Sequence, residues 1–389
     1  MSMMKRLFQL MAEKKASDIF LSVGSAIAIK INGNVMPVNQ QTMDSATVRA
    51  LLYEVINDVQ KRDYEGTLEL NIGFTFPGVG SFRISAFQQK GSPAVVVRYI
   101  PAVIPAIDTL GLPAALKDLI LEKRGLILMV GATGSGKSTT LAAMLDYRNE
   151  QKTGHIFTLE DPIEFVFQNK KSIVNQREVG TDTIDMKTGL KNALRQAPDC
   201  ILIGEIRDKE GMTSALQYAQ SGHLCLATLH ANNSYHAMNR IISFYPLESR
   251  SALLQDLAAT LKCVISQRLI KNVKNTRSAA IEIMLNSRYI AELIEKGEVN
   301  QMKEAMEKAL TPGSQTFEQS LFRMISDGII TQEEALANAD SANNLLWLIN
   351  NTEAGAALVA GGDKKTQPKP VQDPNTTYSN FKLGETEDA

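Results

Sequence analysis

An apolar run, Leu126–Val130, passes without a break into Gly131-Ala132-Thr133-Gly134-Ser135-Gly136-Lys137-Ser138. The octet matches the phosphate-binding pattern G-x-x-x-x-G-K-[S/T] at every fixed position. Few chain paths satisfy it: a buried strand, a glycine-rich turn, and a helix opening at Lys137 or Ser138. The glycines let successive N–H groups turn inward toward phosphate oxygens, and the helix N-terminus adds a favourable dipole. The helical pattern at Thr139–Leu145 supplies the required continuation. Residues 131–139 are therefore expected to hold a nucleoside triphosphate, with Lys137 reaching the β- and γ-phosphates and the Ser138 hydroxyl ligating Mg²⁺.

Around this element the chain of 389 residues has room for roughly two to three domains. With 44% hydrophobic and 21% charged residues it reads as a soluble globular protein. A formal net charge of −1 gives no general drive toward nucleic acid or an anionic membrane. Cys200, Cys225 and Cys263 each sit in an apolar run, far apart, so buried free thiols are expected and a zinc set is not. The N-terminal stretch mixes charged and apolar residues as an amphipathic helix does, and no apolar run approaches the ~18 residues of a membrane span. A cytoplasmic protein is expected, touching a membrane only through partners.

In chain order, residues 4–15 predict a helix, followed by strands at 19–23, 26–31 and near Val35, with Asn32-Gly33 as a turn. Residues 44–63 predict one long amphipathic helix, and 68–76, 81–88 and 94–100 three further strands. This gives an α+β unit over 1–100. A proline-rich linker (101–113) and a helix (112–123) complete the 101–123 connection. Beyond it, apolar strands at 126–130, 156–159, 200–203 and 224–229 alternate with helices at 188–194 and 210–220, which argues a parallel sheet covered on both faces. Residues 249–268 predict a long helix, and 289–350 a helical region with breaks at 311–313 and 327–328. The second domain thus spans 124–351. The polar tail, 352–389, predicts disorder.

Three further clusters carry charge. Asp199–Glu205 is an apolar strand ending in a carboxylate, which could hold Mg²⁺ through water or directly, or could be a surface acid after a strand. Thr158–Glu164 packs three acids into five positions; one could orient or deprotonate a water, or all could serve a helix N-terminus. His223 and His230 bracket Leu224–Leu229, ~23 Å apart on an extended strand and on opposite faces, so they cannot share a metal. His230 lies nearer the phosphates as a polar contact or sensor, and His223 reads as structural.

The phosphate loop, Glu160–Glu164, Leu194–Asp199, Gly204–Asp208 and His223–His230 follow one another as the Walker A, Asp box, Walker B and His box do in the secretion ATPase superfamily. From about residue 3 to 350 the chain resembles the type IV pilus retraction ATPases of the PilT/PilU type. It leans toward the PilU branch. Arg288–Glu295 lacks the arginine-bearing helix motif of the PilT branch, and 336–349 with the polar extension also looks PilU-like. The resemblance implies a RecA-like P-loop ATPase domain preceded by a smaller PAS-like domain and ending in a helical part. It implies a homohexameric motor using Mg²⁺ and ATP, which works with a paralogous retraction ATPase and an inner-membrane platform protein, not with nucleic acid. Glu164 matches the catalytic glutamate and Glu205 the Walker B glutamate. Arginines supply transition-state charge in such sites, and the candidates are Arg83, Arg98, Arg195 and Arg207. Arg98 follows three valines, so an unpaired inward side chain would be costly; a phosphate partner would answer that, and a surface ion pair is the alternative for any of the four. The rivals are an assembly or type II secretion ATPase, disfavoured by the short N-terminal part and the missing tetracysteine insert, and a nucleotide-binding accessory subunit.

Overall fold

The computed structural model describes residues 2–351 except Asn32, Pro77, Pro101, Ala102, Ala309 and Leu310. The predicted tail at 352–389 lies outside the described residues. The chain divides into two compact units, one up to Val103 and one from Ile104 onward.

The first unit runs α1 (Met3–Lys14), β1 (Asp18–Ser22), β2 (Ala26–Ile31), β3 (Asn34–Thr42), α2 (Ser45–Tyr53), α3 (Asp58–Thr67), β4 (Glu69–Phe76), β5 (Gly80–Gln89) and β6 (Ser92–Ile100). Its strands form one antiparallel sheet ordered β3-β2-β1-β6-β5-β4. Alternation aims Phe82, Ile84, Val95 and Val97 at the core beneath the helices, where Phe8 stacks on Phe82 with ring centroids 4.1 Å apart. The single helix predicted over 44–63 is two. Asn57 starts a new one, accepting from the Gln60 backbone N–H at 2.9 Å while Gln60 Oε1 accepts from the Asn57 N–H at 3.0 Å, a reciprocal cap that competes with continuation.

The second unit opens with a 3₁₀ turn at Ile107–Leu110 and α4 (Ala115–Ile120), shorter than the helix predicted over 112–123. It continues through β7 (Gly125–Val130), α5 (Lys137–Gln151), β8 (Gly154–Glu160), β9 (Ser172–Glu178), α6 (Met186–Ala193), β10 (Cys200–Ile203), α7 (Lys209–Gln220) and β11 (Leu224–Leu229). Then come α8 (Ser234–Ser243), α9 (Leu247–Thr260), β12 (Leu261–Lys271), β13 (Arg277–Leu285), α10 (Arg288–Lys296), α11 (Met302–Lys308), α12 (Phe317–Ser326), α13 (Gln332–Asn338) and α14 (Ala342–Asn351). The sheet order is β13-β12-β7-β11-β10-β8-β9, parallel throughout except for the antiparallel pair β12–β13. Every residue of β7 and β11 is buried. Leu126, Leu128 and Val130 enter the core on one face, Ile127 and Met129 that on the other.

The helix predicted at 249–268 is overturned: it ends at Thr260, and Leu261, Val264 and Ile265 belong to β12. That strand lies between β7 and β13 with apolar residues needed on both faces, so its unbroken apolar run satisfied a helical spacing by coincidence. Against β7 it carries one extra residue, because Leu261 pairs with Leu126 but Cys263 already pairs with Ile127. All three cysteines are buried and free, and burial pushes the Cys200 thiol up to about 11.

Candidate nucleotide site

Parallel strands bring their carboxyl ends to one edge of the sheet, which is where ligands gather in such folds. At this edge stand the glycine loop after β7, Glu160 and Asp161 closing β8, Glu205 after β10 and His230 after β11. The loop has left-handed backbone at Gly134 (φ 77°) and Gly136 (φ 88°), and α5 begins at Lys137. A Cβ on Gly131 would lie 2.5 Å from Ser135 Oγ, and one on Gly136 would lie 2.7 Å from Gln267 Nε2, so only glycine fits either place. The buried Ser135 Oγ has no hydrogen-bond partner. The Lys137 ammonium donates to Gly131 O at 2.8 Å and Ala132 O at 2.9 Å. Burial pulls Lys137 below its ordinary range, while the charges of Glu205 and Glu164 push against that shift. The lysine therefore lies within electrostatic reach of both acids.

A chain of contacts joins three strand ends. His230 Nε2 lies 3.2 Å from Glu205 Oε1, Arg207 Nε donates to Glu205 Oε2 at 2.7 Å, and Arg207 Nη1 is 3.1 Å from Asp161 Oδ2. Gly204 N–H donates to Leu159 O at 2.8 Å and Ile206 N–H to Thr228 O at 2.9 Å, which fixes the segment carrying Glu205 between β8 and β11. Glu164 is exposed, four residues beyond Glu160. Glu160 itself is buried, accepts from Thr158 Oγ1 at 2.7 Å and Gln176 Nε2 at 3.2 Å, and is pushed up to about 7, chiefly by desolvation. Among the described residues no group of three or more His, Cys, Asp or Glu is placed to hold a metal.

Other candidates fall elsewhere. Arg195 is exposed in a 3₁₀ turn ahead of β10, at the amino edge of the sheet and away from this cluster, because α6 carries the chain back across the face. His223 precedes β11 at that same edge, its Nδ1 3.2 Å from Tyr218 O. In the first unit Arg98 does not take the costly inward position. Alternation turns it outward, its side chain 65% exposed, and Asp18 pairs with it at 3.0 Å. Arg83 is directly opposite Arg98 across β5 and β6.

Two residues lie outside what the sequence indicates, because apolar spacing predicts a helix where β12 stands. Gln267 contacts the loop and α5 from the neighbouring strand, and Arg268 on the other side donates to Asn232 O at 3.2 Å and Asn338 O at 2.7 Å. The run Cys263–Ile265 followed by Lys274-Asn275 and a second apolar run, Ala279–Leu285, is the hairpin signal that would have found them.

The sequence model of the type II/IV secretion system protein family matches residues 1–337. This chain belongs to that family. Among relatives, it is 46% identical to the type IV pilus ATPase PilU of Pseudomonas aeruginosa, covering 89% of this chain and 91% of that one. It is 41% identical to the retraction ATPase PilT of the same organism, over 86% and 97% of the two chains. A crystal structure of the pilus retraction motor PilT with bound ADP superposes with a TM-score of 0.82 at 37% identity, covering 89% of this chain and 99% of that one. The Legionella pneumophila ATPase DotB follows at 0.74 and 26% identity, over 86% and 95%. This type II/IV secretion family member thus shares its mixed α/β fold, parallel sheet and helical C-terminal part with secretion ATPases of known structure.

Proposed function

We propose that the chain is an ATP-hydrolysing motor subunit of type IV pilus retraction and twitching motility, acting as a homohexamer. The observation that carries this is the close-packed glycine loop and the Glu205 cluster at one sheet edge, in a member of a family whose pilus ATPases it resembles along most of its length. Residues 131–139 are the phosphate cradle; the close-packed glycines and the unpartnered Ser135 hydroxyl fit that role. Lys137 exchanges the loop carbonyls for β- and γ-phosphate oxygens. Ser138 and Glu205 would hold Mg²⁺, which supplies charge to offset that building on the phosphates. Glu164, exposed and close enough to feel Lys137, orients or deprotonates the attacking water. His230 senses the state of that site through its contact with Glu205, and Arg207 holds Glu205 and contributes positive charge. Arg83 and Arg98 are the first unit's candidates for charge donation, and Arg195 is given no part in its own chain's site.

Partners under this reading are further copies of the chain, a paralogous retraction ATPase and an inner-membrane platform protein, with the motor cytoplasmic and peripheral at the inner membrane. No described helix is long and apolar enough to cross a membrane. An accessory role beside the paralogue is the second reading, favoured by α10, whose Arg288 pairs with Glu292 of the same helix at 3.3 Å and which carries no further arginine. Retraction assayed with this chain as the sole retraction ATPase separates the two. Phosphate release by Glu164→Ala is the test of the chemistry: turnover vanishes while ATP binding persists. Loss of binding would overturn the role given to Glu164, and a wild-type chain that binds no ATP would overturn the function.

A further inference from the structure

Gln267 sits on β12, 2% exposed, with both ends of its amide in use. Its Nε2 donates to Ser135 O at 2.9 Å, and its Oε1 accepts from Thr140 Oγ1 at 2.8 Å, with both bonds buried. One side chain from outside the loop therefore ties the middle of the glycine turn to the first turn of α5, on either side of Lys137. The approach is close along its length. A Cβ on Gly131 would come within 2.6 Å of Gln267 O, and one on Gly136 within 2.7 Å of Nε2.

We propose that Gln267 is a positioning residue of the phosphate loop, holding its curvature for nucleotide phosphates from the neighbouring strand. The chemistry selects glutamine. Ser135 O needs a donor and Thr140 Oγ1 an acceptor at the reach of one side chain; glutamate satisfies only the second and leucine neither. Lys137 also braces the loop, through Gly131 O and Ala132 O, but a lysine that turns to a phosphate gives those carbonyls up. The Gln267 bonds end on a loop carbonyl and a helix hydroxyl and persist when it turns. Leaving Ser135 O buried without a donor is the expensive outcome, so the loop would shift to recover one and spoil the cradle.

The inference rests on the nucleotide-binding reading, and one set of measurements separates the two. The full-length chain is titrated with ADP by calorimetry, and KM and kcat for ATP are measured alongside the melting temperature without nucleotide. Gln267→Leu and Gln267→Glu are expected to weaken ADP and raise KM by about tenfold or more, the scale of a lost buried hydrogen bond. Thr140→Val is expected to weaken ADP less, Thr140→Ser to bind as wild type, and Gln267→Leu/Thr140→Val to bind no worse than Gln267→Leu alone. A glutamine that merely packs would lower the melting temperature with ADP affinity unchanged, and that result overturns the proposal. Should Gln267→Leu fail to fold, Gln267→Glu and Thr140→Val decide: wild-type affinity in both overturns it. Wild-type protein that does not bind ADP overturns the nucleotide reading itself, and the inference with it.

Discussion

Buried and half-buried residues alternate along β5 of the first unit, from Gly80 to Phe87, whereas every residue of β7 in the second unit is buried. The antiparallel sheet packs helices against one face and leaves the other to charged and polar side chains, such as Asp18, Arg83 and Arg98. The parallel sheet is covered on both faces, so its charges collect where strands end. In one unit charge is spread across a face; in the other it is focused on an edge. Focusing has an electrostatic consequence. Near Lys137 burial already shifts a pKa, while in the outward pair Arg98–Asp18 the carboxylate is buried but the guanidinium stands in water.

If that contrast holds, substitutions of the groups facing the phosphates act on chemistry, and those of buried groups act on stability. Lys137→Ala gives the largest effect: phosphate release falls by about a thousandfold or more, because a desolvated cation facing the phosphates is lost, with circular dichroism unchanged. Retained turnover would break the contrast. Phe82→Ala removes the ring stacked on Phe8 and should cost about 3–5 kcal/mol in denaturant unfolding. A cost below about 1 kcal/mol would mean that the first unit's core can collapse around the loss.

Glu160→Gln tests the edge through pH. Its carboxyl is pushed up to about 7 by burial, against 4.5 when exposed. The folded state therefore binds the proton more tightly, and the associated stability is complete below pH 4.5 and lost as pH rises through about 7. Unfolding measured at pH 5 and pH 8 should show the wild type losing stability toward pH 8 and the glutamine variant losing less. Parallel pH profiles would remove Glu160 as the cause. The smallest effect belongs to Asp18→Asn. It leaves Arg98 opposite Arg83 without the Asp18 carboxylate; Asp18 is buried but Arg98 is exposed, so a change of about 1 kcal/mol is expected.

Legibility in the sequence followed the same division. Leu126–Val130 and Leu224–Leu229 read as buried parallel strands because nothing polar interrupts them, and the motifs at their ends marked the edge at which Glu205 and His230 stand. What failed depended on neighbours distant in sequence. Leu261–Arg268 carries an apolar set compatible with either period, and only its place between β7 and β13 makes it a strand. Asn57 ended a helix that apolar spacing alone would have continued. Edge strand β9, with Asn175, Gln176 and Arg177 in it, has too little apolar character to announce itself. The outward turn of Arg98 was available from alternation along β6, but the partner that stabilises it, Asp18, is contributed by a strand 80 positions away.

The extra residue that β12 carries against β7 acts as a phase setting. Consecutive strand residues address opposite sides of a sheet, so one inserted position decides which side every later residue serves. With Lys262 in place, Gln267 reaches the turn after β7 while Arg268 reaches the segment after His230 and the turn before α14. A one-residue slip would put Ser266 or Arg268 where Gln267 stands, and the glycine turn would lose its amide. A single bulged residue five positions upstream thus specifies what the nucleotide edge is wired to.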